Sequence, residues 1–172
     1  RTPIAFRARA LKAMGVLEAY DSLLLDLDGT VWNGGEPIEG AVDFINSCGI
    51  ARGYVTNNAS RSAGAVADKL NRAGITAQPA EVTTSAQAII DKAREVLRGG
   101  SRVLVLGSES FRGLVEDSGY DVVDSAADKP AAVFQGFDPS VGWPELSEAA
   151  YAVRAGAKYF ASNPVSYTHL TL

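Results

Sequence analysis

The sequence holds one cysteine, one histidine and no long apolar run, and each scarcity removes a class of protein. Cys48 alone closes no internal disulfide, so a small scaffold stapled by its own bridges is excluded. It sits in AVDFINSCGI, residues 41–50, where a helical pattern makes it a small buried hydrophobe. The longest apolar runs, such as VLVLG at 103–107, are too short to span a bilayer, and no secretory h-region lies near the start. Lys and Arg form no continuous block and the net charge is −4, which argues against nucleic acid as a partner. GxxxxGK[ST] is absent, and GSESFRG at 107–113 does not supply GxGxxG. A P-loop kinase and a dinucleotide oxidoreductase are thereby disfavoured. There is no tandem repeat. What remains is a globular chain of 172 residues, 47% hydrophobic and 21% charged, long enough for one domain or two small ones. A cytoplasmic setting is expected, with no membrane partner.

Apolar runs and helical patterns alternate along it. SLLLDLD (22–28) reads as a parallel strand buried on both faces. GAVDFINSCG (40–49) reads as a helix stopped by Gly49, and ARGYVTNN (51–58) as a strand with a polar end. SRSAGAVADKLNRAG (60–74) reads as a helix capped by Ser60, and TTSAQAIIDKAREVL (83–97) as another. Strands at 101–107, 120–124, 131–136 and 157–163 and helices at 110–119 and 143–156 follow. Repeated β-α units with short connections predict an α/β fold with parallel sheet. The pattern restarts at RVLVLG, so a domain boundary is expected near residue 84.

Within this frame, LLLDLDGT at 23–30 stands out, because an apolar strand ends on two aspartates and a glycine. Strand side chains alternate, so Asp26 and Asp28 share one side of the strand tip. Two carboxylates this close call for a compensating cation or proton, and hard oxygen donors suit Mg²⁺. In a parallel sheet, ligands bind beyond the carboxyl ends of the strands. TNNAS (56–60) brings Thr56, Asn57 and Asn58 to the same edge, where a helix starting near Ser60 adds free N–H groups for an anion. Carboxylates, a metal and an anion cradle together predict phosphoryl chemistry. Either motif alone is equally compatible with a capping carboxylate or a polar turn.

LLLDLDGTVWNGGEPIEGA (23–41) and YVTNNASRS (54–62) resemble the first and second motifs of haloacid-dehalogenase-type phosphatases whose cap lies between the second and third motifs. This is the group of p-nitrophenyl phosphatase and phosphoglycolate phosphatase. VTTSAQ (82–87), VLVLGSE (103–109), AVFQGFD (132–138) and GWPELSEAAYAVRAGAKYFASN (142–163) look most like actinobacterial enzymes acting on glycerol 3-phosphate. The resemblance implies a Rossmannoid core over 20–84, after an extension at 1–19. It implies an incomplete α/β cap over 85–165, then an unmatched tail at 166–172. It implies Asp26 as nucleophile, Asp28 as general acid and base, and both as Mg²⁺ ligands. Thr56, Asn57 and the backbone at Gly29 would hold phosphate. Asn58 would orient the loop, and Arg61 would reach phosphate or a carboxylate. The substrate would be a small phosphorylated metabolite, and a homo-oligomer is compatible with the pattern.

The family also uses a later lysine and further acidic ligands. Lys158, in a cap strand, does not match that lysine, Val165 stands where an Asp is expected, and SYTHLTL reads as foreign. The 172 residues are therefore expected to be nearly inactive and weakly folded. His169 has no partners in that tail and is given no role. Trp32 and Trp143 read as packing residues, with Trp32 alternatively at a pocket mouth. Phe137 and Asp138 read as cap surface facing substrate. The rival is a receiver-like metal- and phosphate-binding module. Such modules place the phosphoaccepting Asp on a later strand, whereas here the later strand ends in TNN.

Overall fold

The computed structural model of the protein describes residues 16–163. The readings for the first residues, Val165, His169 and the tail lie outside the described residues. The described chain divides into two compact units. The first holds the residues up to Thr56 together with Ala63–Thr84; the second holds Asn57–Ser62 and the residues from Ser85 on.

In the first unit, strand β1 (Ser22–Asp26) is followed by the two-residue strands β2 (Trp32–Asn33) and β3 (Glu36–Pro37). Then come helix α1 (Ala41–Ser47), strand β4 (Ala51–Thr56), helix α2 (Ala63–Arg72) and strand β5 (Val82–Thr84). β1, β4 and β5 form a parallel sheet in that order, with Asp26 level with Val55 and Thr56 level with Thr84. Leu27, Val31, Trp32, Ile45, Tyr54, Val66 and Leu70 build its core. The Arg52 guanidinium ties α1 to the loop after α2, donating to the carbonyls of Ile45 and Thr76 at 3.0 Å each.

Three expectations need correction here. The strand read as 22–28 stops at Asp26, and Leu24 is 76% exposed. β1 has a strand neighbour on one side only among the described residues, and Leu23 and Leu25 face inward while Leu24 faces away. Next, the first two residues of the helix read at 83–97, Thr83 and Thr84, belong to strand β5 instead, and the helix runs from Ser85 to Arg94. Val82 and Thr84 are buried in β5, which pairs with β4. Last, the helix read from Ser60 begins at Ala63. Ser60 is not its cap, because the Ser60 N–H and hydroxyl both go to the Asn58 side chain.

In the second unit the elements are α3 (Ser85–Arg94), β6 (Arg102–Leu106), α4 (Glu109–Asp117), β7 (Asp121–Val123), β8 (Ala132–Gln135), α5 (Trp143–Arg154) and β9 (Lys158–Ala161). The four strands form a parallel sheet in the order β7-β6-β8-β9. Its middle strands, RVLVL and AVFQ, are apolar on both faces because helices pack on both. α4 starts where the Ser108 hydroxyl caps the Phe111 N–H. α5 starts at Trp143 with the Glu145 carboxylate accepting from the Gly142 N–H at 3.0 Å. Among the described residues no helix is long and apolar enough to cross a membrane.

Candidate active site

The loop leaving β1 is held by its own backbone. The Leu27 carbonyl accepts from the N–H groups of Thr30, Val31 and Trp32, and the Gly29 N–H donates to the Trp32 carbonyl at 2.8 Å. That reversal requires φ of +82° at Gly29, a conformation that an L side chain rarely adopts. Asp28 and Trp32 also form a bridge. Beyond it, Trp32–Asn33 pairs with Glu36–Pro37 around Gly34 and Gly35, both at positive φ, as a tight two-residue hairpin turn demands. This hairpin was not anticipated from the sequence, although Gly34-Gly35 is its signal.

The result is that Asp26 and Asp28 stand on the exposed side of the strand end while Leu27 between them is fully buried. The alternation expected for a strand tip thus survives one residue past the strand. Thr56 ends β4, one position beyond the partner of Asp26, so it lies at the same edge of the same parallel sheet. It is 7% exposed and engaged in a polar contact. These three side chains and the Gly29 backbone are what the first unit brings together.

Asn57, Asn58 and Arg61 belong to the second unit. Asn57 and Asn58 are exposed side chains on a segment pinned from behind. The Asn57 carbonyl accepts from the Ser85 hydroxyl at 2.8 Å, and Ala59 is buried in the second core. Asn58 spends its side-chain oxygen on Ser60, which shapes the loop. Arg61 is exposed.

Trp32 is 4% exposed and belongs to the first core, so packing describes its ring better than a pocket mouth. Its indole N–H was missed by sequence reasoning: it donates to Asp28 Oδ1 at 2.8 Å. Trp143, read as packing, is instead 81% exposed, because it lies on the outer face of the first turn of α5. Phe137 is 67% exposed. Asp138 accepts from the N–H and hydroxyl of Ser140, and these bonds hold its carboxyl below the usual carboxylate range. Among the described residues no three His, Cys, Asp or Glu side chains cluster as metal ligands. Asp26 and Asp28 nevertheless fit Mg²⁺, which is commonly held by one or two carboxylates, phosphate and water.

A parallel α/β sheet with a loop carrying two carboxylates after its first strand defines a Rossmann-like fold. A family profile for haloacid dehalogenase-like hydrolases matches residues 23–121, and the chain belongs to this family. It is 43% identical over 148 residues to D-glycerol 3-phosphate phosphatase of Mycobacterium tuberculosis, covering 86% of this chain and 42% of that one. It is 35% identical to acid sugar phosphatase of Staphylococcus epidermidis, over 86% of this chain and 57% of that one. The crystal structure of glycerol phosphate phosphatase from M. tuberculosis in complex with magnesium superposes with a TM-score of 0.82 at 42% identity, over 86% of this chain and 45% of that one. The chain thus spans about half the length of the curated relatives it matches.

Proposed function

We propose that the protein is a Mg²⁺-dependent phosphomonoesterase acting on a small phosphorylated metabolite, of the glycerol 3-phosphate or phosphoglycolate kind. The observation that carries the proposal is the pair of exposed carboxylates, Asp26 and Asp28, beside Thr56 at one edge of a parallel sheet. The similar phosphatases from M. tuberculosis and S. epidermidis support it, as does the magnesium in the former's crystal structure. A non-catalytic metal- and phosphate-binding module is the weaker reading, since the similar proteins are named as phosphatases.

In this reading Asp26 attacks phosphorus. An O–P bond forms to the carboxylate, and the ester O–P bond breaks. Asp28 gives its proton to the departing alkoxide, so a poor leaving group departs as an alcohol. Asp28 then takes a proton from water, whose oxygen attacks phosphorus and releases phosphate and the free Asp26 carboxylate. The Thr56 hydroxyl holds a phosphoryl oxygen, and the Gly29 N–H, engaged by the Trp32 carbonyl at 2.8 Å, shapes the loop beside it. Asn58 sets the segment after β4 through its side-chain oxygen, which accepts from the N–H and hydroxyl of Ser60. Mg²⁺, held by the Asp26 carboxylate and the Asp28 carbonyl, would neutralise phosphate charge. A cytoplasmic setting belongs to the same proposal.

The test is leaving-group dependence in the full-length protein. Asp28→Asn is expected to slow an alkyl phosphate on the order of 10²–10⁴-fold, and p-nitrophenyl phosphate far less in the first step. Equal losses on both would remove Asp28 from the acid role.

A further inference from the structure

We propose that Trp32 and Lys69 are positioning residues for Asp28, an inference that rests on the phosphatase reading above. Three side chains are arranged in series within the first unit. The Lys69 Nζ, on α2, lies 3.7 Å from the centre of the Trp32 ring. The Trp32 indole N–H donates to Asp28 Oδ1 at 2.8 Å. Trp32 is buried and its ring is fixed by the first core, so the donor cannot follow a wandering carboxylate. Asp28 must come to it.

Two consequences follow from elementary chemistry. An indole N–H donates and cannot accept, so Asp28 Oδ1 is an acceptor in this contact. Oδ2 is then the oxygen left to pass a proton to the departing alkoxide or take one from water. Second, a cation over the ring face draws on the indole electron density and makes the N–H a better donor. Lys69 thereby acts on Asp28 through Trp32 without touching it. The backbone contacts from Gly29 to Trp32 and the bridge from Asp28 to Trp32 already fix the loop. The indole bond adds what those contacts leave free, the rotation of the carboxyl group. Sequence spacing hides this relay, since Trp32 reads as packing and Lys69 lies 37 positions on.

Trp32→Phe keeps the ring and removes the donor. In the full-length protein it is expected to lower the first-step rate on an alkyl phosphate about tenfold, within the range of a misplaced general acid, with KM and the first-step rate on p-nitrophenyl phosphate held within about twofold. Lys69→Met should move the alkyl phosphate rate the same way by a smaller factor, and Lys69→Arg, which keeps a cation over the ring, should restore it. Equal loss on both substrates, or no loss, would overturn the proposal. A second readout does not depend on turnover: the ¹⁵N-indole resonance of Trp32, identified by its disappearance in Trp32→Phe. Asp28→Ala and Lys69→Met should each shift it, and Asp28→Ala should speed its hydrogen exchange. A resonance indifferent to both substitutions would overturn the relay. If the unsubstituted protein hydrolyses no phosphomonoester, the functional reading fails, and the indole resonance still decides whether the contacts exist.

Discussion

Tyr54 lies in β4, fully buried, and its hydroxyl has no hydrogen-bond partner among the described residues. Burial pushes its pKa up, against a smaller opposing pull from the Arg52 guanidinium. The folded chain therefore keeps this phenol neutral at a pH where the unfolded chain ionises it. A raised folded pKa means that stability is intact below the ordinary tyrosine value near 10 and falls as pH rises beyond it. Tyr54→Phe should cost little at neutral pH, because no bond is lost, and should flatten the alkaline loss of stability. Denaturant melts at pH 7 and above pH 10 would show this; parallel losses in both proteins would assign the alkaline transition elsewhere. The same residue scale shows why Asp26 and Asp28 were legible while their neighbour was not. Strand alternation alone puts both acids on one side of the strand tip, whatever use they serve. A tryptophan in the same loop is as good a core residue as a donor, and only the fold decides which atom it turns toward the carboxylate.

At the scale of elements, the second sheet shows how close packing fixes helix α4. Phe111, on its first turn, is 1% exposed and lies over two glycines that follow parallel strands β6 and β8. A Cβ built on Gly107 would come within 2.7 Å of the Phe111 ring, and one on Gly136 within 2.8 Å of the ring and 3.4 Å of the Ala59 Cβ. Gly136→Ala should therefore destabilise by about 1–3 kcal/mol, the usual cost of overpacking, since the ring is confined on its other sides. A chemical melt reads this directly, and an unchanged midpoint would mean that Phe111 has room to move. The element order was legible from periodicity, because long amphipathic helices and apolar strands carry strong patterns. Short pieces were not. β5 is three residues of VTT, indistinguishable from the start of the helix it precedes, and β2 and β3 are two residues each. β5 is specified by its pairing with β4, distant in sequence, and β2 and β3 by the Gly34-Gly35 turn between them.

For the whole molecule, the proposed chemistry rests on the ends of β1 and β4, while the segment after Thr56 is built into the second unit through Ala59 and Ser85. The placement of Asn57–Ser62 in the second unit was not legible, since it lies inside a motif that reads as continuous with its strand. The central claim is that Asp26 forms a covalent phosphoryl intermediate. The most direct measurement is to quench the full-length protein during turnover of a phosphomonoester, reduce the acyl phosphate with tritiated borohydride, which releases phosphate and leaves a tritiated homoserine, and locate the modified residue by peptide mass spectrometry. The account predicts label on the peptide containing Asp26, at that residue, and none in Asp26→Asn. Label on another residue, or an Asp26→Asn protein that turns over at the unsubstituted rate, would contradict it.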